Sequence, residues 1–438
     1  MSQLTIEKNT FLTDFADFAA GRTDEPPFVA SLRSEALSQF ATAGLPHRRL
    51  EKWRQLDLSG FRSHEFALIE KPPAVLAHAI APLRLAGAQE LVFVDGHFVP
   101  ELSEAGSVAG VQAGSLAVAA RQQPTPLGRD VDLSEPFAAL NTIYWQDGAF
   151  VQLQPGAVAQ RPLHLLCVAT GGEQPTASYP RHLIALGANS EATVIETYTS
   201  LGAGVHFSCP LSEVGLAANA RLNHHRFVRQ NPAAYHLATS HLHLGRDSRI
   251  NALAACLGGS LTRHDLHVDL AAPGSEANLQ GLYLAADTQQ VDNHLWVRHS
   301  APHTRSRQSY RGILAGRAQA VFNGNIHVEA AAAKTDARQS NRNLLLSDTA
   351  LVHTNPQLEI YAGDVRCTHG STVGQLDEEA LFYLRSRGLD AASARNLLTY
   401  AFASDLIDAV EPAILRPQLE QALFDWLSLN VGFRGETR

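Results

Sequence analysis

The sequence lacks the features by which membrane, secreted and nucleic-acid-binding proteins are usually recognised. Its 438 residues contain no apolar run of the roughly 18 residues that a membrane span needs. Lys and Arg number 35 against 43 Asp and Glu, which gives a net charge of −8, so we do not expect nucleic-acid binding. The stretch from Met1 to Phe18 has no apolar core of a signal peptide, so we expect a cytoplasmic protein.

Cysteine is also scarce. The four cysteines are Cys167, Cys209, Cys256 and Cys367, and no two of them form a C-x-x-C pair. This spacing argues against a disulfide framework and against a structural zinc site. We therefore expect free, reduced thiols.

Several nucleotide-binding and catalytic motifs are missing. The chain has no G-x-x-x-x-G-K-[ST] loop, no G-x-G-x-x-G that follows a strand, and no G-x-S-x-G elbow. We therefore do not expect this chain to hydrolyse ATP. If ATP drives the system, another protein supplies the nucleotide site.

The apolar pattern divides the chain into three regions. Residues 1–150 look mixed, and an apolar stripe that includes Val29, Ala36 and Phe40 predicts a helix over residues 28–43. Residues 151–374 contain short alternating runs, such as residues 192–198 and 278–284, that are typical of strands. Residues 375–438 read as helices, so we expect three regions with those boundaries.

Turn residues recur through the central region at intervals of about 14 residues. They are Gly245, Gly258, Pro273, Asp287, Pro302 and Gly316. Short strands at regular intervals suit a sandwich, a barrel or a β-solenoid. Their spread over about 200 residues in one unit favours the solenoid.

The C-terminal region carries helix start and stop signals. Asp377 and Asp390 are suitable N-caps, and Gly388 can end the first of these helices. A third helix is predicted from Pro417 to Leu429. Helices that follow a β-region either cap its end or dock a partner, and the sequence leaves both alternatives open.

Histidine is abundant, at 20 residues, and is concentrated in the central region. His241 and His243 would share one face of a strand, as would His225 and Phe227. Neutral imidazole binds iron, zinc and copper, so a metal site is one interpretation. The other is that these histidines are ordinary polar residues of a β-surface.

The most informative short motif is Cys367-Thr-His369. At positions i and i+2 of a strand, the thiol and the imidazole project from the same face and form a pair of soft metal ligands. Asp364 and Glu359 could add oxygen donors. Two ligands leave a site incomplete, which implies weak transient binding or completion by a partner. The alternative is a buried cysteine beside a structural histidine.

At this motif the sequence resembles a known family. Residues 335–347, 356–360, 364–374 and 381–388, in this order, resemble the signature of the SufB/SufD family of iron–sulfur cluster assembly proteins. Residues 44–53 and 161–166 are similar to the family's entry segments. The resemblance implies a mainly β protein, a right-handed parallel β-helix flanked by a mixed N-terminal region and a helical C-terminal region.

The resemblance also implies a function and partners. It indicates a non-catalytic scaffold subunit of a SufBCD complex, whose partners are a SufB homologue and the ABC-type ATPase SufC docked on the C-terminal helices. A transient iron–sulfur cluster, or iron, would be shared with SufB at a site that includes His369, with Cys367 beside it. Reduced flavin accompanies some such complexes, although this chain shows no flavin motif. A homodimer is expected when the chain is isolated.

Within the family, residues 369–374 look like the SufD branch. SufB-type members carry a cysteine, proposed to receive sulfur, where Asn343 aligns in this chain. We therefore do not expect Asn343 to accept persulfide, which argues against a SufB-like role in a simpler complex. Two further alternatives are a stand-alone His-rich metal-binding protein and a β-helix enzyme that acts on polysaccharides.

Overall fold

The structure is a computed structural model that describes residues 15–22, 24–123, 125–411 and 413–431. Most of the segment on which the signal-peptide expectation rests, Met1 to Asp14, lies outside the described residues. The protein is mainly β, with 40% strand and 24% helix. Among the described helices, none is long and apolar enough to cross a membrane.

The strands are numbered here in chain order. They are β1 (Ala67–Leu68), β2 (Gln89–Val94), β3 (His97–Phe98), β4 (Gly106–Val108), β5 (Val111–Ser115), β6 (Ala149–Leu153), β7 (Leu163–Ala169), β8 (Thr176–Ser178), β9 (Arg181–Leu186), β10 (Glu191–Ser200), β11 (His206–Ser208), β12 (Leu211–Leu216), β13 (Arg221–Arg229), β14 (Tyr235–Leu244), β15 (Arg249–Cys256), β16 (Leu261–Leu270), β17 (Glu276–Ala285), β18 (Gln290–His299), β19 (Arg305–Leu314), β20 (Gln319–Val328), β21 (Asp336–Leu345), β22 (Leu351–Ile360) and β23 (Arg366–Gly374).

The described α-helices flank these strands at both ends of the chain. They are α1 (Phe15–Ala20), α2 (Pro27–Ala43), α3 (Ser59–Arg62), α4 (Ala77–Ile80), α5 (Leu116–Gln122), α6 (Pro136–Tyr144), α7 (Glu378–Ser386), α8 (Ala391–Asp408) and α9 (Arg416–Asn430).

The chain winds through two sheets in alternation. Sheet A contains β9, β12, β14, β16, β18, β20 and β22 in that order, and sheet B contains β7, β10, β13, β15, β17, β19, β21 and β23. Neighbouring strands of one sheet are parallel, and Glu276 of β17 pairs with Arg305 of β19, which pairs with Asp336 of β21. The predicted β-solenoid is therefore confirmed, with about eight turns. The sandwich and barrel alternatives are wrong.

Asparagine and aspartate form one series of corners between the sheets. Asn189, Asn219, Asp247 and Asp287 have φ angles of 58°, 57°, 55° and 53°. These two residue types tolerate the left-handed conformation better than most others because their short polar side chains bond locally. The Asn219 side-chain amide donates to Asn189 Oδ1 of the preceding coil over 3.1 Å. The corner residues therefore stack as the strands do.

The solenoid interior is filled by matched large and small residues. Gly281 of β17 pairs with Tyr310 of β19, and Tyr283 pairs with Gly312. A Cβ atom on Gly281 would lie 2.2 Å from Tyr310 Cδ1, and one on Gly312 would lie 2.1 Å from Tyr283 Cε2. Each aromatic ring thus occupies the space over the glycine of the adjacent coil.

The N-terminal region packs against the outer face of sheet A. An aromatic cluster joins Phe61 and Phe137 to Phe207 and Tyr235 of the solenoid. The ring centroids of Phe61 and Phe207 are 4.9 Å apart in an edge-on arrangement. Burial of these large rings fixes the N-terminal region on one flank of the solenoid.

The C-terminal helices cover the opposite flank. Leu406 of α8 and Leu423 of α9 lie in one apolar cluster with Phe227 and Ile313, on the outer face of sheet B. Ion pairs flank this contact, among them Arg311 Nη2 to Asp405 Oδ2 at 3.0 Å. Because these helices lie along the side of the solenoid, they do not cap its end. Of the two alternatives left open by the sequence, capping is wrong.

The predicted helix boundaries are confirmed at three positions. The Asp377 carboxylate accepts a hydrogen bond from the Glu379 amide at 2.8 Å, and the Asp390 carboxylate accepts one from the Ser393 amide at 2.8 Å. Gly388 lies between α7 and α8 with a φ of 97°. Side-chain caps at both N-termini satisfy amides that have no partner within the helix.

We expect Gly281→Ala to destabilise the solenoid by about 1–3 kcal/mol, because the added methyl group must displace the buried Tyr310 ring. Gly215→Ala is the matched control, since a Cβ atom there meets nothing within 4 Å on a strand of the same solenoid. Urea unfolding followed by circular dichroism measures both variants. Equal midpoints for the two variants would contradict this account of the interior.

Candidate functional site

The C-terminal end of the solenoid is open. β22 and β23 are the last strands of sheets A and B, so each has one edge without a neighbouring strand in the described structure. Val373 of β23 is 46% exposed, whereas its ladder partner Asn343 on β21 is buried. Unpaired strand edges and exposed inward-facing side chains are the features through which β-structures extend into another chain.

Cys367 and His369 both lie on the inner face of this open coil. In the β21–β23 ladder, Cys367 pairs with Ala337 and His369 pairs with Gln339, and both partners are buried in the solenoid interior. Because side chains alternate between the two faces of a strand, the thiol and the imidazole point to the same side. Both side chains therefore lie where the solenoid interior opens at its C-terminal end.

The two side chains have different surroundings. Cys367 is half-buried and packs against a small apolar cluster that includes Val328, Ala332 and Ala337. Burial raises the pKa of the Cys367 thiol, so it is protonated at neutral pH, and binding a metal would release a proton. The His369 side chain is exposed and forms no hydrogen bond within the described part of the chain. Its ring nitrogens are available to a ligand or a partner.

The two acidic residues considered as additional ligands do not join this pair. Glu359 lies on the outer face of β22, where its carboxylate accepts hydrogen bonds from Asn325 at 2.6 Å and from His327 at 3.0 Å. Asp364 lies in the turn before β23 and forms an ion pair with Lys334. That expectation was wrong because the sequence does not show which face of a terminal strand is inside. Among the described residues, no group of three or more His, Cys, Asp or Glu side chains is placed to hold a metal ion.

Asn343 lies one coil below the open end. It is buried, accepts a hydrogen bond from the Tyr283 hydroxyl and donates one to Asn341 Oδ1 at 2.7 Å. Asn341 in turn donates to the Tyr283 hydroxyl at 3.0 Å. The side chain is therefore held in a closed polar network, and an amide in this position offers no thiol for sulfur transfer.

A second polar cluster, which the sequence analysis missed, lies deeper in the solenoid interior. Glu196 is fully buried and its carboxylate accepts hydrogen bonds from His224 at 2.7 Å, Ser212 at 2.8 Å, Tyr198 at 2.8 Å and Arg226 at 2.9 Å. Burial alone would raise the pKa of Glu196, but Arg226 and His224 hold this pKa well below its usual range. The carboxylate is therefore ionised, and its charge is balanced inside the protein.

The cluster continues along the solenoid axis in both directions. His182 Nε2 lies 3.2 Å from the Tyr198 hydroxyl and 3.8 Å from Cys167 Sγ. On the other side, His264 Nε2 lies 3.1 Å from the Ser240 hydroxyl. Burial raises the pKa of Cys167 and lowers the pKa of His182 to about 4, so both groups are neutral. The packing leaves a cavity of only about 20 Å³ beside Arg226.

A sequence signal for this cluster exists. Every second residue of β13 from Leu222 to Val228 lies on one face of the strand, and the two between these ends are His224 and Arg226. Since Leu222 and Val228 are core residues, the polar residues between them must also face inward. The inward direction of His224 and Arg226 could have been predicted from the sequence, but their contact with Glu196 of another coil could not.

The described residues thus define a parallel β-solenoid protein with one uncapped end, a polar cluster buried in its apolar interior and helices on its flanks. Comparison with protein families matches residues 167–402 to the SufBD core domain of the SUF iron–sulfur cluster assembly system and residues 11–165 to the SufBD N-terminal region. The chain therefore belongs to the SufB/SufD family.

Two relatives cover most of the chain. It is 34% identical over 385 residues to the iron–sulfur cluster assembly protein SufD of Escherichia coli, a match that spans 87% of this chain and 89% of the relative. It is 33% identical over 413 residues to an iron–sulfur cluster assembly SufBD family protein of Synechocystis, spanning 91% of each chain. The resemblance to the SufD branch is thereby confirmed.

We expect Glu196→Gln to lower the free energy of unfolding by about 3–5 kcal/mol, because the neutral amide leaves Arg226 buried without a counter-charge. The wild type, unlike the variant, should lose this contribution as the pH falls below the ordinary glutamate pKa of 4.5 and through the depressed pKa of Glu196. Urea titrations at several pH values measure both effects.

Glu191→Gln is the matched control, since Glu191 is exposed at the start of the same strand. This change should alter the free energy of unfolding by less than about 0.5 kcal/mol. If both variants unfold at the same urea concentration, the buried ion cluster does not stabilise the solenoid.

Proposed function

We propose that this chain is a non-catalytic scaffold subunit for iron–sulfur cluster assembly, which joins a SufB homologue through its open end. Family membership supports the role in cluster assembly. The observation that carries the proposal is the uncapped final coil, with Cys367 and His369 on its inner face. Iron, or the nascent cluster, is the cargo of this site and not a resident cofactor.

A second solenoid is the partner that this end fits best. The outer edges of β22 and β23 have backbone groups that no described strand pairs, and a strand from another chain can satisfy them. The partner would also cover exposed apolar side chains at this end, among them Val373, Ile360 and Tyr361. The surface therefore combines hydrogen-bonding edges with apolar area, as a stable subunit contact requires.

The ligand set supports a shared site. Cys367 and His369 provide one sulfur and one nitrogen donor, whereas iron and zinc sites built from such donors commonly have four ligands. His369 has no hydrogen bond within the described structure that would occupy its ring. A facing subunit would supply the remaining ligands, so that the site exists only in the assembled complex.

The three regions of the chain would then have different tasks. We assign partner binding and cluster assembly to residues 151–374, and docking of the SufC ATPase to residues 375–438. Helix α7 carries Phe382, which is 74% exposed, and Tyr383 beside it, which is also exposed. This apolar surface, together with the missing phosphate-binding loop, supports an ATPase supplied by another chain. Residues 1–150 stabilise the solenoid flank.

An anaerobic pull-down of the tagged chain from its native host tests the assembly. We expect a SufB homologue and an ABC-type ATPase to be recovered with it. Ser371→Asp places a charge on the exposed inner face of β23 and should reduce recovery of the SufB homologue while leaving the ATPase in place. Recovery of the chain alone, loaded with metal, would instead favour a stand-alone metal-binding protein.

We expect His369→Ala to form the complex normally but to yield at least about tenfold less cluster, since a lost metal ligand or its supporting partner typically costs 10–100-fold in affinity or activity. Cluster yield is measured by iron and sulfide content and by visible absorption after anaerobic reconstitution of the complex.

His243→Ala is the matched control, because His243 lies on the outer face of β14, several coils away from the open end. It should assemble and load cluster as the wild type does. Equal cluster yields from His369→Ala and the wild type would contradict the proposed site.

A further inference from the structure

A cleft in the N-terminal region lies on elements that the open end does not use. Its volume is about 350 Å³, within the usual range for small-molecule sites. Val29, Arg33 and Trp145 line it and are buried, whereas Lys71 and Arg121 line it and are exposed. The floor of the cleft is therefore buried, and its rim carries exposed charges of both signs, because Asp24 and Glu70 line it as well.

Arg33 belongs to the wall of this cleft. Its guanidinium donates to the Glu25 carboxylate at 2.7 Å, to the Ile143 carbonyl at 2.6 Å and to the Trp145 carbonyl at 2.8 Å. These bonds engage Nε and both terminal nitrogens of the guanidinium. Arg33 is therefore a structural residue whose charge is balanced by Glu25.

Arg22 is held differently. Its guanidinium carbon lies 4.1 Å from the centre of the Phe18 ring, and its Nε atom is buried without a hydrogen-bond partner in the described part of the chain. Burial and the nearby Arg33 charge lower the pKa of Arg22 to about 10. A positive charge that is partly desolvated and incompletely bonded favours a bound anion.

The floor contributes a second unpartnered donor. The indole Nε1 of Trp145 is buried and has no hydrogen-bond partner among the described residues. Buried donors are nearly always paired, with protein, water or ligand, because an unmade hydrogen bond is costly. Arg22 and Trp145 both line the cleft, so the two donors without an acceptor, Arg22 Nε and Trp145 Nε1, belong to its wall.

We propose that this cleft binds a small metabolite through an oxyanion group, a phosphate or a carboxylate. The oxyanion accepts hydrogen bonds from Arg22 and Trp145, and Lys71 and Arg121 attract it electrostatically. Guanidinium groups match the geometry of both oxyanions, which is why arginine is frequent in such sites. This inference does not depend on the proposed function, because no residue of the open end takes part.

The acidic residues of the cleft limit the kind of ligand it can hold. Glu25 is already engaged by Arg33, and Asp24 and Glu70 also line the cleft. Their presence favours a ligand that carries a hydroxyl or an amine beside its oxyanion, since these groups donate to carboxylates.

Isothermal titration of the full-length chain with inorganic phosphate, inorganic pyrophosphate and citrate tests the site, with KCl added to keep the ionic strength constant. We expect at least one probe to bind saturably at one site. Phosphate or pyrophosphate binding identifies a phosphorylated ligand, and citrate binding alone identifies a carboxylate. Arg22→Ala should weaken the affinity about tenfold or more, the usual cost of one charge-assisted hydrogen bond.

Lys71→Glu is a second variant whose fold is not at risk, because Lys71 is exposed and forms no ion pair with a described residue. It should also weaken binding. Arg246→Ala, at an exposed position of the solenoid, should bind as the wild type does. The inference is overturned if no probe binds saturably, or if Arg22→Ala and Lys71→Glu both keep the wild-type affinity.

Discussion

Hydrogen bonding between coils is the constraint on which the rest of this structure depends. A single coil of a β-solenoid cannot pair its own backbone groups, so each coil needs a neighbour on both sides. At the N-terminal end the antiparallel strands β3, β4 and β5 extend the sheets. At the C-terminal end the helices lie on the flank, and no strand among the described residues pairs with the outer edges of β22 and β23. The open end therefore follows from the way the chain is wound.

The same stacking explains how charged groups are accommodated inside the solenoid. Because β10 and β13 of successive coils pair in register, Glu196 and Arg226 lie next to each other. Ser212 of sheet A reaches Glu196 from across the interior. Each polar atom of the Glu196 carboxylate is therefore bonded by groups that are far apart in sequence. The polar cluster has little free volume and is enclosed by the apolar interior of the solenoid, which ends where Cys367 and His369 lie.

Much of the fold could be predicted from the sequence, since its signals are local. The corners at Asp287 and Gly316 reflect residues that accept a left-handed backbone, and the caps at Asp377 and Asp390 reflect short side chains that bond nearby amides. The shared face of Cys367 and His369 follows from strand alternation alone. Glu359 was misassigned because alternation gives two faces without saying which one is inside.

The sequence by itself determined the β-solenoid region, its helical neighbours, the Cys367–His369 pair and, through resemblance, the family. Only the tertiary structure decided that the C-terminal helices lie on the flank, that Glu359 faces outward, and that Glu196 meets Arg226 and His224 inside. It also decided that Arg22 and Trp145 share a cleft. The reason is physical: periodicity, caps and turns act over a few residues, whereas these contacts join residues that only the winding of the chain brings together.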